Sequence, residues 1–389
     1  MVTAHSPRCA HFGECGGCRR QDLSYEDQLE AKKKYLEDLF HRPVPLHPSP
    51  DIWYYRNKME YSFGDIYPPP EEGEDDILLG LKERGKWYRV LNLSECYLLS
   101  PEAPALLDAV HEWARKEGLA PYNVRRHVGF LRHLLVREGK LSGERLVLLL
   151  TVEGNLPRES FVEAVESVYP ATTILRGQHN GRADAAILEE VEVLTGSGFI
   201  EEVLLGKTFR ISPKSFFQTN SRGAEILYSL IREWMAPLQP ERILDLYCGG
   251  GAIGILLADL CQEVLGVDVV EEAVADARYN AEENGVFNIE FVTGKVEKVL
   301  RDWKGDVDTV ILDPPRAGMH PKALKAVCEM APPRILYVSC NPKNFVRDLD
   351  KLLEGYEMVR IEGVDLFPHT DHVEAVALFE RKPQDVSTI

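Results

Sequence analysis

"LDLYCGGGAIGILLA", residues 244–258, sets an apolar strand ending at Tyr247 against a turn whose Gly249, Gly251 and Gly254 fit the pattern G-x-G-x-x-G, and then runs into an apolar helix. Glycines there let the backbone approach a ligand closely, and Asp268, at the end of the next apolar segment, is placed to bond a ribose hydroxyl. The pattern serves NAD and S-adenosylmethionine alike. Asp245, inside the strand just before the turn, favours the second, because a carboxylate repels the pyrophosphate of a dinucleotide and attracts the amine and sulfonium of S-adenosylmethionine. "LDPP", Leu312–Pro315, ends a later strand with another carboxylate, Asp313, and two prolines that fix the backbone over the site. A structural turn plus an N-capping aspartate accounts less well for two such features in register.

Outward from this turn, apolar strands alternate with helical patterns: "EVLGVDVV", "IEFVTG", "TVILDPPR", "RILYVSCNP" and "EAVALFERK". The expected fold is α/β, with a doubly wound, Rossmann-like domain over 211–389 and ligands beyond the carboxyl ends of its strands. Residues 51–210 read as a β-rich central domain of short strands and hairpins, among them "RNKMEYSFG", "ILLGLKER", "WYRVLNL", "FLRHLLVREG" and "ERLVLLLTVEG". Within it, "YPPPEEGEDD" reads as a solvated loop. Residues 1–50 hold a cysteine-rich knot, a helix over "YEDQLEAKKKYLEDLF" and a linker, "HRPVPLHPSP".

The 389 residues are too many for one core, and 44% hydrophobic content fits a folded chain. No window approaches the ~18 consecutive apolar residues of a membrane span, and the N-terminus has no signal-peptide core, so a cytoplasmic monomer is expected. A net charge of −17 argues against a nonspecific nucleic-acid binder; any nucleic acid must meet a local basic patch.

"YVSCNP", Tyr337–Pro342, ends an apolar strand at Cys340, among the turn formers Ser339, Asn341 and Pro342. Cys261 and Cys328, in helical stretches, read as small hydrophobes; Cys340 reads as a presented nucleophile. A thiol beside a methyl donor suggests one reaction in particular. The C5 of a pyrimidine becomes nucleophilic only when something adds at C6, and after methyl transfer a base must remove the C5 proton. "FPHTDHVEAVALFE" offers Glu374 as that base, with His369, Asp371 and His372 as competitors.

"CAHFGECGGC" sets Cys9, Cys15 and Cys18 in a C-x5-C-x2-C spacing, and Cys96 is the best candidate for a fourth ligand. Such a tetrathiolate holds zinc or an iron–sulfur cluster, and spacing does not choose between them.

The motifs "SFFQTN", "DLYCGGG", "DPPRAG", "YVSCNP" and "FPHTDHVE", in this order over nearly the whole chain, resemble the RNA uracil-5-methyltransferase family. The resemblance implies a methyltransferase with nucleophile Cys340 and base Glu374, and S-adenosylmethionine at Gln218, Tyr247, Asp268 and Asp313. It also implies a [4Fe–4S] cluster of structural role on Cys9, Cys15, Cys18 and Cys96. RNA cytosine-5-methyltransferases carry a second cysteine after their proline motif, where this chain has Arg316. Longer members place a small β-barrel before the cluster, whereas only eight residues precede Cys9. On that ground the ribosomal (23S) RNA type is expected, with tRNA as runner-up. A basic stripe of Arg125, Arg126, His127, Arg132, His133, Arg137 and Lys140 around Phe130 reads either as an RNA grip or as a solvated hairpin face. The rival of another class is an iron–sulfur redox protein or a nucleotide-binding scaffold.

Overall fold

The computed structural model describes residues 5–66 and 77–383; the acidic proline loop expected over 67–76 lies outside the described residues. The knot leads into α1 (Tyr25–Phe40), which Ser24 caps by accepting a hydrogen bond from the Asp27 amide at 3.1 Å. Glu26 and Asp27 in its first turn suit the positive end of the helix dipole. The proline-rich stretch that follows contains a two-residue strand, β1 (Leu46–His47).

The central region is a seven-stranded sheet formed by β2 (Lys58–Asp65), β3 (Ile77–Glu83), β4 (Lys86–Asn92), β5 (Leu131–Glu138), β6 (Arg145–Thr151), β7 (Thr173–Gln178) and β8 (Glu190–Thr195). Its order is β4-β3-β2-β5-β6-β7-β8, antiparallel except for the β6–β7 pair. Two helices interrupt the strands: α2 (Ala103–Lys116) and α3 (Arg158–Glu166), the second making the crossover that a parallel pair requires. The hairpin of β9 (Ile200–Leu204) and β10 (Lys207–Ile211) closes this part of the chain.

Next come α4 (Ser221–Met235), β11 (Arg242–Leu246), α5 (Ala252–Leu257), β12 (Glu263–Asp268), α6 (Glu271–Glu283), β13 (Ile289–Thr293), α7 (Val296–Asp302), β14 (Thr309–Leu312), α8 (Pro321–Met330), β15 (Arg334–Ser339), α9 (Pro342–Gly355), β16 (Tyr356–Val364) and β17 (Glu374–Arg381). The sheet order is β1-β16-β17-β15-β14-β11-β12-β13; β17 runs antiparallel to both neighbours. The strand order reverses between β11 and β14, where an open α/β sheet forms its ligand crevice. This confirms the expected α/β architecture of a Rossmann-like sheet beside a β-rich sheet.

The first fifty residues pack on the C-terminal sheet. β1 pairs in parallel with β16, and Leu36, Phe40 and Val44 are buried with Tyr337, Phe345 and Phe379. Burial of a side chain the size of Leu36 or Phe40 contributes about 2 kcal/mol. Lys32 Nζ meets Asp365 Oδ1 at 2.7 Å in a buried ion pair, and donates to the Phe367 carbonyl at 2.9 Å. The β9–β10 hairpin is bound in turn to α6: the Arg210 amide donates to Asn280 Oδ1 at 2.7 Å and the Thr208 amide to Asn284 Oδ1 at 2.9 Å.

Candidate active site

β11 ends in a strained turn. Tyr247, Gly249 and Gly251 all have positive φ (66°, 52° and 81°), and for a tyrosine this conformation costs energy that the surroundings must supply. Gly254 has a separate constraint: its amide donates to Asp245 Oδ2 at 2.9 Å, and a Cβ there would lie 2.9 Å from that oxygen. The other oxygen of the fully buried Asp245 has no hydrogen-bond partner. Burial, followed by the nearby Asp268, pushes its carboxyl up to about 7. Asp268 accepts from the Gly249 amide at 3.0 Å and the Val270 amide at 2.9 Å, so this carboxylate pins the glycine turn to β12.

Gln218, Tyr247, Gly249 and Asp313 line one cleft together with Asp245 and Phe216. The central domain positions Gln218: Asn57 Nδ2 donates to the Gln218 carbonyl at 2.7 Å and to Ser221 Oγ at 2.9 Å, while Arg137 Nη2 donates to the Ser215 carbonyl at 2.6 Å. Asn220 caps α4 from the same turn by accepting from the Gly223 amide. Asp313, just past β14, is raised to about 7 by burial and by Asp245. A buried carboxylate oxygen without a partner and a second carboxyl in the same cleft suit a cationic ligand group, as the amine and sulfonium of S-adenosylmethionine require.

The thiol is presented by a strand–turn–helix. β15 stops at Ser339, whose Oγ accepts from the Asn341 amide at 3.2 Å, and Pro342 opens α9 at a position where its missing N–H costs nothing. Ser339 pairs with Ala375, which places Cys340 beside Glu374, the first residue of β17. Glu374 is fully buried and neither of its oxygens has a partner. Burial, then Asp313, pushes this carboxyl well above its ordinary range. Burial, Glu374 and Asp313 push the Cys340 thiol up to about 12, against the opposing field of Arg316. Arg316 lies on the open side, with Nη2 3.3 Å from both ring nitrogens of His372 and its carbonyl accepting from Asn341 Nδ2 at 3.2 Å.

The competitors for the base have other positions. The His369 ring stacks on Trp53 with centroids 3.8 Å apart, and its carbonyl accepts from the amides of Arg19 and Arg20. Asp371 pairs with Arg19 and Arg20 at the surface. Sequence reasoning missed Tyr228 and Phe216. Tyr228, inside the apolar face of α4, sets its buried phenol in the fields of Asp313, Glu374 and Asp245, and nothing in a helical pattern marks it. Phe216 is 67% exposed at the cleft, a signal available only from the structure.

The knot folds against the edge of the central sheet. Cys15 bridges to Glu83, and the Gly16 amide donates to the Lys82 carbonyl at 3.0 Å. Cys15, Cys18 and Cys96 are buried in one cluster, and the half-buried Cys9 feels the field of Cys15 as Cys96 feels that of Cys15 and Cys9. Burial raises all four thiols, Cys18 to about 12 and Cys96 to about 11. The four cysteines share one neighbourhood, and thiolates are the donors of a sulfur-ligated metal. Among the described residues, however, no three Cys, His, Asp or Glu side chains stand at metal-holding separation.

The basic stripe divides. Arg132, His133 and Arg137 are buried, and Lys140 bonds Glu138 and the Leu99 carbonyl; only Arg125, Arg126 and His127 are exposed, in the turn before β5. Among the described residues no helix is long and apolar enough to cross a membrane.

A Rossmann-like sheet with carboxylates at its switch point and a thiol beside a buried carboxyl suits a methyltransferase. Residues 195–382 match the family model described as tRNA (uracil-5-)-methyltransferase. Uncharacterized RNA methyltransferases of Caldanaerobacter subterraneus and Nanoarchaeum equitans are 40% and 37% identical to this chain, over 96% of it and over 84% and 80% of their own lengths. The crystal structure of Pyrococcus abyssi tRNA (uracil-54, C5)-methyltransferase in complex with S-adenosyl-L-homocysteine superposes with a TM-score of 0.78 at 34% identity, covering 94% of this chain and 86% of that one. The chain belongs to the RNA uracil-5-methyltransferase family and is an S-adenosylmethionine-dependent RNA (uracil-5-)methyltransferase.

Proposed function

We propose that Cys340 and Glu374 act on opposite faces of one event, the methylation of a uridine at C5. The observation that carries this reading is their adjacency at the β15–β17 end of the sheet, with Asp313 close to both. The target base leaves its stack to reach this recess. The Cys340 sulfur forms a bond to C6 and the C5=C6 double bond opens to an enolate, so that C5 can take a methyl group. S-adenosylmethionine, when bound, supplies that methyl as an electrophile. Glu374 then removes the C5 proton, the double bond re-forms, and the C6–S bond breaks to release the thiolate. A carboxylate with no hydrogen-bond partner and a strongly raised affinity for protons is an effective base for that step. Asp245 and Asp313 hold the cationic end of the donor, Gln218 and Tyr247 wall its cleft, and Gly249 and Gly251 let the turn bend around it.

For the RNA, the reading is now tRNA first, because the Pyrococcus abyssi relative is by its name a tRNA uracil-54 enzyme. The ribosomal target expected earlier is the second reading. Cys9, Cys15, Cys18 and Cys96 are proposed to hold a [4Fe–4S] cluster that staples the N-terminal knot to the central sheet; their shared neighbourhood and the family resemblance support it. Incubation with unmodified total RNA and a labelled methyl donor, followed by nucleoside mass spectrometry of separated tRNA and rRNA, tests the function. 5-Methyluridine in tRNA is expected. Label only in 23S RNA would reinstate the ribosomal reading, and label on cytosine would overturn the base assignment.

A further inference from the structure

A groove of about 760 Å³ opens on the central domain, between the β3–β4 hairpin and the turn that precedes β5. Among the described residues, six basic side chains and two carboxylates line it: Lys82, Lys86, Arg89, Arg125, Arg126 and Arg132 against Asp65 and Asp184. On a chain of net charge −17, such a surplus is a local exception. Part of it is neutralised, since Arg126 pairs with Asp65 at 3.3 Å, Lys82 with Asp184 at 2.8 Å, and both Arg89 and Lys86 with the neighbouring Glu83, at 3.0 and 2.5 Å. Arg125 instead lies over the Tyr88 ring, 4.7 Å from its centroid. Tyr88 is 50% exposed, and its neighbour Trp87, in edge contact at 5.8 Å, is 61% exposed. Two adjacent aromatic rings left in water at the tip of a hairpin fill no core.

The groove does not stand alone. Lys82 also lines a second cleft of about 470 Å³, whose walls include Arg56, Lys58, Thr370 and His372. His372 touches Arg316, whose carbonyl is bonded to Asn341 beside Cys340. Lys82 thus belongs to both clefts, and the second reaches His372, whose partner Arg316 lies beside the loop that carries Cys340.

We propose that this groove is a second RNA subsite, which holds a single-stranded segment flanking the target uridine, with a base stacked on Trp87 or Tyr88 and phosphates on Lys86, Arg125 and Arg126. The inference rests on the reading of the substrate as RNA. Stacking on an exposed ring requires an unstacked base, so a single strand or a loop fits and a continuous duplex does not. The aromatic partner of the basic turn is thus supplied by the β3–β4 hairpin and not by Phe130, which packs against Arg176.

The test compares wild type with Trp87→Ala/Tyr88→Ala and Arg125→Ala/Arg126→Ala, all changes at exposed positions. Binding of a labelled oligouridylate is followed by anisotropy over a range of salt, together with methylation of total RNA. The aromatic pair should weaken binding roughly tenfold, as loss of a base stack does, with no change in salt dependence. The arginine pair should flatten the slope of log affinity against log salt by about 2. Both should raise KM for RNA and leave kcat, S-adenosylhomocysteine affinity and melting temperature at wild-type values. If wild type methylates RNA and both variants bind it unchanged, the groove is not a subsite and the catalytic reading survives. If wild type neither binds nor methylates RNA, the substrate reading fails and the subsite with it.

Discussion

Cys340 and Glu374 occupy facing positions one step beyond the Ser339–Ala375 pair of the β15–β17 ladder, so the thiol and the carboxyl are held by the same antiparallel register. The ladder sets the backbone positions on which their separation depends, so the two proposed roles can be tested one at a time.

Cys340→Ala should abolish methylation, by about a thousandfold or more, and should form no covalent RNA adduct. Glu374→Gln keeps the nucleophile and lacks the base; turnover should fall by roughly 10²–10⁴ while a denaturant-resistant protein–RNA adduct carrying the new methyl accumulates. Gel electrophoresis in denaturant with labelled methyl donor reads both. An adduct formed by Cys340→Ala would assign the nucleophile elsewhere.

Binding of the cofactor should expel protons. Burial raises Asp245 and Asp313 to about 7, above their unfolded values near 4. The folded, ligand-free protein then binds more protons than the unfolded chain between about pH 4 and 7. These two groups consequently lower stability as pH rises through that window and contribute no further slope above it. A cationic ligand favours the ionised carboxylates, so calorimetric enthalpies of S-adenosylhomocysteine binding near pH 6.5 should vary with the buffer's ionisation enthalpy in the sense of proton release. Asp313→Asn should reduce that dependence. Enthalpies independent of buffer would remove both aspartates from the cofactor site.

Protein purified without air should be brown, and serine at Cys9, Cys15, Cys18 or Cys96 should lower its iron content and its melting temperature. Because the amides of Arg19 and Arg20 hold the His369 carbonyl in the loop that leads to Glu374, the same variants should also lose turnover. Iron analysis and absorbance settle the first point, and a colourless protein with stoichiometric zinc would replace iron by zinc. Cys340→Ala should leave metal content unchanged.

Lys32→Ala should cost about 3 kcal/mol, because it leaves the fully buried Asp365 without its cation. The double change Lys32→Met/Asp365→Asn should be markedly milder. Urea midpoints for the three proteins test this, and equal losses for the single and double variants would show that the pair is not what holds α1.

Much of the candidate site was legible because its residues stand at strand ends in the chain itself. Asp245, Asp268, Asp313 and Cys340 each follow an apolar run, and a doubly wound sheet gathers the ends of such runs at one edge. What was illegible depended on contacts distant in sequence. The two residues of β1 sit in a proline-rich stretch with no strand pattern and become a strand only by pairing with β16. The helices α2 and α3 lie in a stretch that reads as β-rich. The stripe from Arg125 to Lys140 has the composition of a basic face, yet β5 is central in its sheet and buries Arg132, His133 and Arg137. Tyr228 looks like any apolar-face residue of α4 until the sheet brings three carboxyls to it.

The contact between α1 and the segment after β16 also orders events at the ribosome. Lys32 and its partner Asp365 are 333 positions apart, and at about 5–20 residues per second the helix leaves the exit tunnel tens of seconds before its partner has been made. The part of the chain that is synthesised first is therefore among the last to reach its final place. Through that interval the apolar side of α1, with Leu36 and Phe40, stays uncovered by the C-terminal sheet. An exposed apolar helix face over that interval is a surface for chaperones before it is part of a core.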